Sequence, residues 1–216
     1  MDFELIGGFV AILAAVFSAV RFYFVRKTVS PRGPFRIVLV SSLVGLLFFG
    51  PVSLILNYPN FNGLSWVSFS IFFVVGLLLA LWLNLTYESV RRVGASRTSP
   101  ITRGNMVIAS LIAILFLGET VETLHLVGIF ILFSGVALVS YETGETRLNS
   151  ESLISLDLTI PLTAMIIGGI ISIFVRIGYS NGVPVTVALA IQMLTIFGSV
   201  LKNVTYIKHG SNKNNT

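Results

Sequence analysis

The chain alternates between long apolar runs and short polar stops. Apolar runs occupy residues 5–25, 37–56, 66–87, a fourth stretch from 101 or 106 to 117, then 124–141, 158–178 and 185–201, the last reaching toward Ile207. Each approaches the roughly 20 residues that a helix needs to cross about 30 Å of hydrocarbon. Backbone groups in lipid must bond within their own segment, so each run is expected to be helical. The stops are rich in turn formers: Asn57-Tyr58-Pro59-Asn60-Phe61-Asn62-Gly63 between the second and third runs, Asn181-Gly182-Val183-Pro184 between the last two. The pattern predicts an all-α polytopic integral membrane protein with about seven transmembrane helices. The fourth run is short if it begins at Met106. Taking in Thr98 to Asn105 lengthens it and leaves Arg103 near its start, where an arginine snorkels at little cost.

Composition agrees with the pattern. The chain is 55% hydrophobic and 11% charged, with a mean hydropathy of +0.92, against roughly 25% charged residues in soluble domains. The net charge of +5 therefore does not imply nucleic acid; the expected surroundings are a lipid bilayer. Basic residues follow the first run (Arg26, Lys27, Arg32, Arg36), the third (Arg91, Arg92, Arg97, Arg103), the fifth (Arg147) and the seventh (Lys202, Lys208, Lys213). Loops 57–65, 118–123 and 179–184 carry no Lys or Arg. The positive-inside rule then sets a multi-pass protein of the cell membrane with its N-terminus outside and its C-terminus cytoplasmic. Segment 142–157 is the mixed one, with Glu142, Glu145, Glu151 and Asp157 against Arg147. The opening MDFELIGG has acids and no base, which suits a retained first span rather than a secretory signal.

The chemistry available is narrow. There is no cysteine, and the only histidines are His125 and His209, the only aspartates Asp2 and Asp157. No metal site and no cofactor is expected. Gly94-Ala95-Ser96 and His125 carry the letters of an intramembrane serine protease, but the predicted topology puts them on opposite sides of the bilayer, beyond hydrogen-bond reach. His-Glu-x-x-His is absent, as are the two membrane aspartates of an aspartyl protease. The chain is read as not an enzyme.

Arg21 in SAVRFYF and Arg176 in IFVRIGY lie late in the first and sixth runs, five spans apart. An odd-numbered repeat unit would invert the second copy against the first, a design found in transporters. A longer pattern is more specific. YESVRRVGASRTSPI (87–101), followed by IASLIAILFLGETVETLHLVGIFILFSGVALVS, joins a Tyr and small residues to Ala-Ser-Arg, Pro-Ile, Leu-Gly-Glu and a glycine-bearing helix ending in Ser-Gly-Val. This resembles the EamA domain of the drug/metabolite transporter superfamily. The resemblance implies one five-helix repeat over 4–141, a polar linker over 142–157, the first two helices of a second, inverted repeat over 158–207, and a polar tail over 208–216. It implies a permease that carries a small, unidentified metabolite by alternating access. The chain departs from that family in two ways. It supplies seven spans rather than ten, without a second Leu-Gly-Glu, and it has Met106 after Asn105 where the family commonly has a proline. The alternative reading is a truncated or degenerate carrier fragment without transport of its own, an assembly partner completed by homodimerisation or by a complementing second fragment.

Several residues stand out as possible participants. Gly118 and Glu119 form a helix-junction motif. Glu119 would be either a proton-coupling carboxylate or, the preferred reading, an acid favoured at a helix start by the macrodipole, and Glu122 fits the same account. Arg21 and Arg176 would bind an anionic or carboxylate substrate if they face the path, or snorkel if they do not. Asn84, Tyr87, Asn105 and Gln192 are polar groups in apolar runs, and Asn84 and Tyr87 share one helix face; all four are candidates for the substrate path or for interhelical bonds. Trp66 and Trp82 are read as an interface marker and a packed residue. Gly168-Gly169 and the Gly128/Gly135 pair are read as sites of close helix approach.

Overall fold

The computed structural model describes residues 3–29, 34–59, 61, 63–117, scattered positions between 127 and 138, and 156–213. All regular structure among these is helical: α1 (Phe3–Thr28), α2 (Phe35–Asn57), α3 (Trp66–Arg92), α4 (Ala95–Arg103), α5 (Asn105–Leu117), α6 (Leu156–Ser180) and α7 (Val185–Lys213). Among the described residues, six segments are long and apolar enough to cross a membrane, with α4 and most of α5 together forming one of them, Ala95–Leu115. The fifth predicted span, with Gly118, Glu119, Glu122 and His125, lies largely outside the described residues, although Val127, Gly128, Phe130, Ile131, Ser134, Gly135 and Leu138 are helical. Linker 142–157 is outside them up to Ser155.

Helix ends differ from expectation where polar residues continue a helix beyond its apolar run. The third helix ends at Arg92, not Tyr87, because Glu88 accepts from Arg91 Nε (2.8 Å) and Arg92 Nε (2.6 Å) one turn on, and such pairs support a helical end. The last helix continues through Lys213. The fourth span starts at Ala95, ahead of either expected start, and is broken at Gly104. Arg103 is therefore near the middle of that span rather than near its start. Its exposed guanidinium reaches across to α1, where Nη2 donates to Ser18 Oγ at 2.6 Å.

Turn chemistry explains the junctions. Ser65 caps α3, its hydroxyl accepting from the Ser68 amide at 3.1 Å, and so satisfies one of the unpaired donors at the helix start. Gly94 between α3 and α4 has φ 93° and ψ 159°, a region open in practice only to glycine. The loops after α2 and α6 lie at one end of the bundle. Gly63 abuts the Asn181–Gly182 backbone, and Asn57 Nδ2 donates to Thr186 Oγ1 at 3.0 Å. The two described loops that lack Lys and Arg thus share an end.

The packing follows from small residues. α3 lies between α6 and α7, α2 packs on α7, and α5 packs on α6. Phe72 sits over Gly178, Thr195 over Gly76 and Met193 over Gly45; an added methyl at those glycines would stand 2.6, 2.6 and 2.7 Å from its nearest neighbour. One buried cluster joins Phe22, Val38, Ala80, Tyr87, Ile196 and Val200; another joins Phe72, Val183, Val187 and Ala188 near the loop end. Close approach matters because apolar burial drives no association between helices already in lipid.

Gly63 tests this loop contact. Its φ is +75°, and a methyl group there would stand 2.6 Å from the Gly182 carbonyl carbon and 2.7 Å from the Asn181 oxygen. Gly182 has the same φ but open space around it. Thermal denaturation in lipid nanodiscs should show Gly182→Ala losing about 1–2 kcal/mol of backbone conformational energy and Gly63→Ala losing more. Equal losses would mean that the loop contact contributes nothing.

Candidate functional site

Polar side chains concentrate on the seam between α3 and the broken fourth span. On α3, Trp82, Thr86 and Ser89 follow each other at spacings of four and three, and so do Thr98, Thr102 and Asn105 on α4–α5 in the order four, then three. Residues at such intervals share one helix face. The two faces meet. Ser89 and Thr98 share a buried hydroxyl–hydroxyl bond of 2.8 Å. Seven residues up α3 and seven along the fourth span, Trp82 Nε1 and the Asn105 amide come together at Gly168 of α6, each 3.0 Å from where a methyl on that glycine would stand. The two segments thus run antiparallel, with the α6 backbone at Gly168 against both members of the second pair.

The seam is deep. Trp82 lies ten residues from the α3 terminus at Arg92, about 15 Å at 1.5 Å per residue. Thr86 and Thr98 are fully buried and Thr102 is 3% exposed. α6 closes over it: a methyl on Gly169 would stand 2.5 Å from Ile108 Cγ2, and one on Gly104 would stand 2.6 Å from Met165 Sδ. The helical ladder is irregular at the break. The Gly104 amide turns back to Ile101 O at 3.0 Å, and the amides of Val107 (3.0 Å) and Ile108 (3.3 Å) both bond Gly104 O.

Hydrogen bonding along the seam is incomplete. Thr102 Oγ1 donates to its own helix, to Thr98 O at 2.8 Å, and the Ser89–Thr98 rung is closed. Trp82 Nε1, Thr86 Oγ1 and Asn105 Oδ1 are buried without a partner, as is Asn84 Oδ1. A buried polar atom left unbonded costs about 1–3 kcal/mol, so several in one region mark a place where the fold gives up stability.

The residues expected along a path do not converge at one point. Asn105 sits on the seam. Asn84, whose Nδ2 donates to Ala80 O at 2.7 Å, and Tyr87, 3% exposed, are on another face of α3, with Tyr87 packed into the cluster shared with α1, α2 and α7. Arg21 is exposed, its guanidinium 5.3 Å from the Phe22 ring centre. Arg176 is exposed on α6, and Gln192 is buried on α7. Trp82, expected only to pack, and Thr86, Ser89, Thr98 and Thr102, not singled out from the sequence, form the seam. Their 4-3 spacing was the available signal, masked on α3 by the apolar residues around it and on α4 by the polarity of ASRTSPITR. At Gly168-Gly169 the close packing is observed, while among the described residues nothing lies within 4 Å of a methyl placed at Gly128 or Gly135. No group of three or more metal-ligating side chains occurs among the described residues.

Comparison with known proteins gives one match. The family model of the EamA-like transporter family matches residues 5–141, more than half of the chain. No curated protein and no solved structure matches.

Proposed function

Because the chain belongs to the EamA-like transporter family, we propose that it is a secondary carrier that moves a small metabolite across the membrane by alternating access, with the α3/α4–α5 seam as part of the path. The observation that carries this reading is the set of unpartnered buried polar atoms within the spans on Trp82, Thr86 and Asn105. Groups that cost stability and make no internal bond are retained where they serve a solute. The break at Gly104 gives the fourth span a point at which α4 can shift against α5, and helices interrupted at mid-membrane are a recurrent transporter device. Arg103, bonded to Ser18 on α1, ties the moving half to a peripheral helix. No covalent chemistry is required. The end bearing Arg26, Lys27, Arg91, Arg92 and Lys202 is the cytoplasmic one by the positive-inside rule.

The test is flux from proteoliposomes loaded in turn with labelled amino acids, amides, organic acids, amines and sugars. At least one class should exchange saturably. Asn105→Leu should lower that exchange at least tenfold at equal protein incorporation. Absence of saturable flux for every class would refute independent transport. A second reading, a carrier component active only with another chain, is favoured by one observation. Among the described residues, only 6% of the apolar window of α1 is covered, against 33% for α3. On that reading flux appears only on co-reconstitution with a second chain that covers α1.

A further inference from the structure

We infer that the Trp82–Thr86–Asn105 seam binds an uncharged solute that offers both a hydrogen-bond donor and an acceptor, such as a small amide or hydroxyamide, and rejects ions of similar size. This rests on the transport reading for its biological purpose, but the binding site is argued from the seam alone. The unpartnered set contains one fixed donor, the indole N–H of Trp82. It contains one hydroxyl that can give or accept, on Thr86, and one acceptor, the carboxamide oxygen of Asn105. A ligand completing all three must itself carry both polarities. A carboxylate would leave the acceptor side of the Asn105 amide unanswered; an ammonium would leave the indole N–H unanswered.

Charge points the same way. No ionisable side chain is a member of the seam, which consists of the buried Thr86, Ser89, Thr98 and Thr102 and the half-buried Trp82 and Asn105. Two ionisable groups near it on the same helices are directed elsewhere. Glu88 is engaged by Arg91 and Arg92 at the α3 end, and Arg103 reaches outward to Ser18. An ion at mid-membrane without a counter-ion costs several kcal/mol, whereas a neutral group whose bonds are all met costs little. Gly168 brings the α6 backbone against both groups, since an added methyl would stand 3.0 Å from the Asn105 amide and from Trp82 Nε1, so the place is close-packed and only a small solute could be admitted there. The site therefore favours a compact ligand.

Trp82 makes the test direct, because Trp66 and Trp82 are the only tryptophans. Trp66 is 86% exposed at the loop end, so Trp66→Phe leaves one reporter at the seam. The full chain carrying Trp66→Phe, in lipid nanodiscs, is titrated with glycolamide, glycolate and ethanolammonium, three probes of similar size and different charge. Glycolamide should shift the Trp82 emission saturably, and the two ions should give no saturable shift at tenfold higher concentration. Asn105→Leu in this background should raise the half-saturating glycolamide concentration at least tenfold. The near-isosteric Thr86→Val should raise it at least threefold, and carries the test if the leucine variant does not fold. Equal responses to all three probes, no saturable response to glycolamide, or an unchanged half-saturation in the folded variants would overturn the inference. Saturable glycolamide binding in a protein that exchanges no solute would uphold the site and refute the transport reading. Saturable exchange of a charged solute without any response of Trp82 would do the reverse.

Discussion

Gly169→Val should cost more stability than any other single substitution considered, about 3 kcal/mol, the upper end for overpacking. The position is where α6 comes closest to α5. A first methyl carbon there would already stand 2.5 Å from Ile108 Cγ2, 2.6 Å from Ile108 Cβ and 3.2 Å from the Ala109 backbone nitrogen. The side-chain clash could be relieved by rotating Ile108; the backbone contact could be relieved only by moving a helix. Valine adds two further methyls and one stiff rotamer. Unfolding in mixed micelles, followed by tryptophan emission, measures the loss. Because both nearest atoms belong to Ile108, Ile108→Ala in the Gly169→Val background should restore part of it, though not all, since the Ala109 backbone remains. A full loss that Ile108→Ala does not change at all would show that the helices are not apposed at this point.

Gly168-Gly169 also shows what can be read from sequence and what cannot. A glycine pair inside an apolar run has no local purpose in a helix, where glycine costs about 1 kcal/mol against alanine. Close packing therefore follows from the letters. Which helix approaches does not, because Ile108 and Trp82 are far away in sequence and pair with α6 only through the tertiary arrangement. The spans were legible for the same reason that their partners were not. Crossing a bilayer imposes a length and a polarity on each segment separately, so the runs 37–56, 66–87 and 158–178 are visible one by one. The fourth span was misjudged at its start because ASRTSPITR is too polar to register as membrane. Its Thr98, Ile101 and Thr102 are nevertheless buried against neighbours, so protein rather than lipid surrounds that face and hydropathy no longer applies. Arg103 was misjudged with it. A basic residue next to an apolar run reads as an end, whereas a long side chain can leave mid-span and find Ser18 on another helix. At the site, Asn105 was conspicuous as an isolated amide in an apolar run. Thr86 and Thr102 were not, because threonine is unremarkable in a membrane helix, where its hydroxyl usually bonds the preceding turn. Thr102 does so; Thr86 does not.

That difference between two threonines leads to an outcome in which stability and activity move in opposite directions. Thr86→Val is expected to stabilise the protein by about 1 kcal/mol or more while lowering exchange at least tenfold. Valine nearly matches threonine in volume, so packing around this fully buried position is kept. The substitution removes a hydroxyl that has no partner, and with it a desolvation penalty of about 1–3 kcal/mol. Ser89 is the control on the same face one turn away. Its hydroxyl bonds Thr98 Oγ1 at 2.8 Å, so Ser89→Ala strands the buried Thr98 hydroxyl and should cost about 1–3 kcal/mol, most of which Thr98→Val should restore in the double variant. Unfolding midpoints and proteoliposome exchange, measured on the same preparations, decide the matter. If the Thr86 hydroxyl were structural, its loss would lower stability as at Ser89 and leave exchange unchanged per folded molecule. If it belongs to the solute path, the valine variant will be the more stable protein and the poorer carrier, since the bond it forgoes is one that the wild-type chain makes only to what it transports.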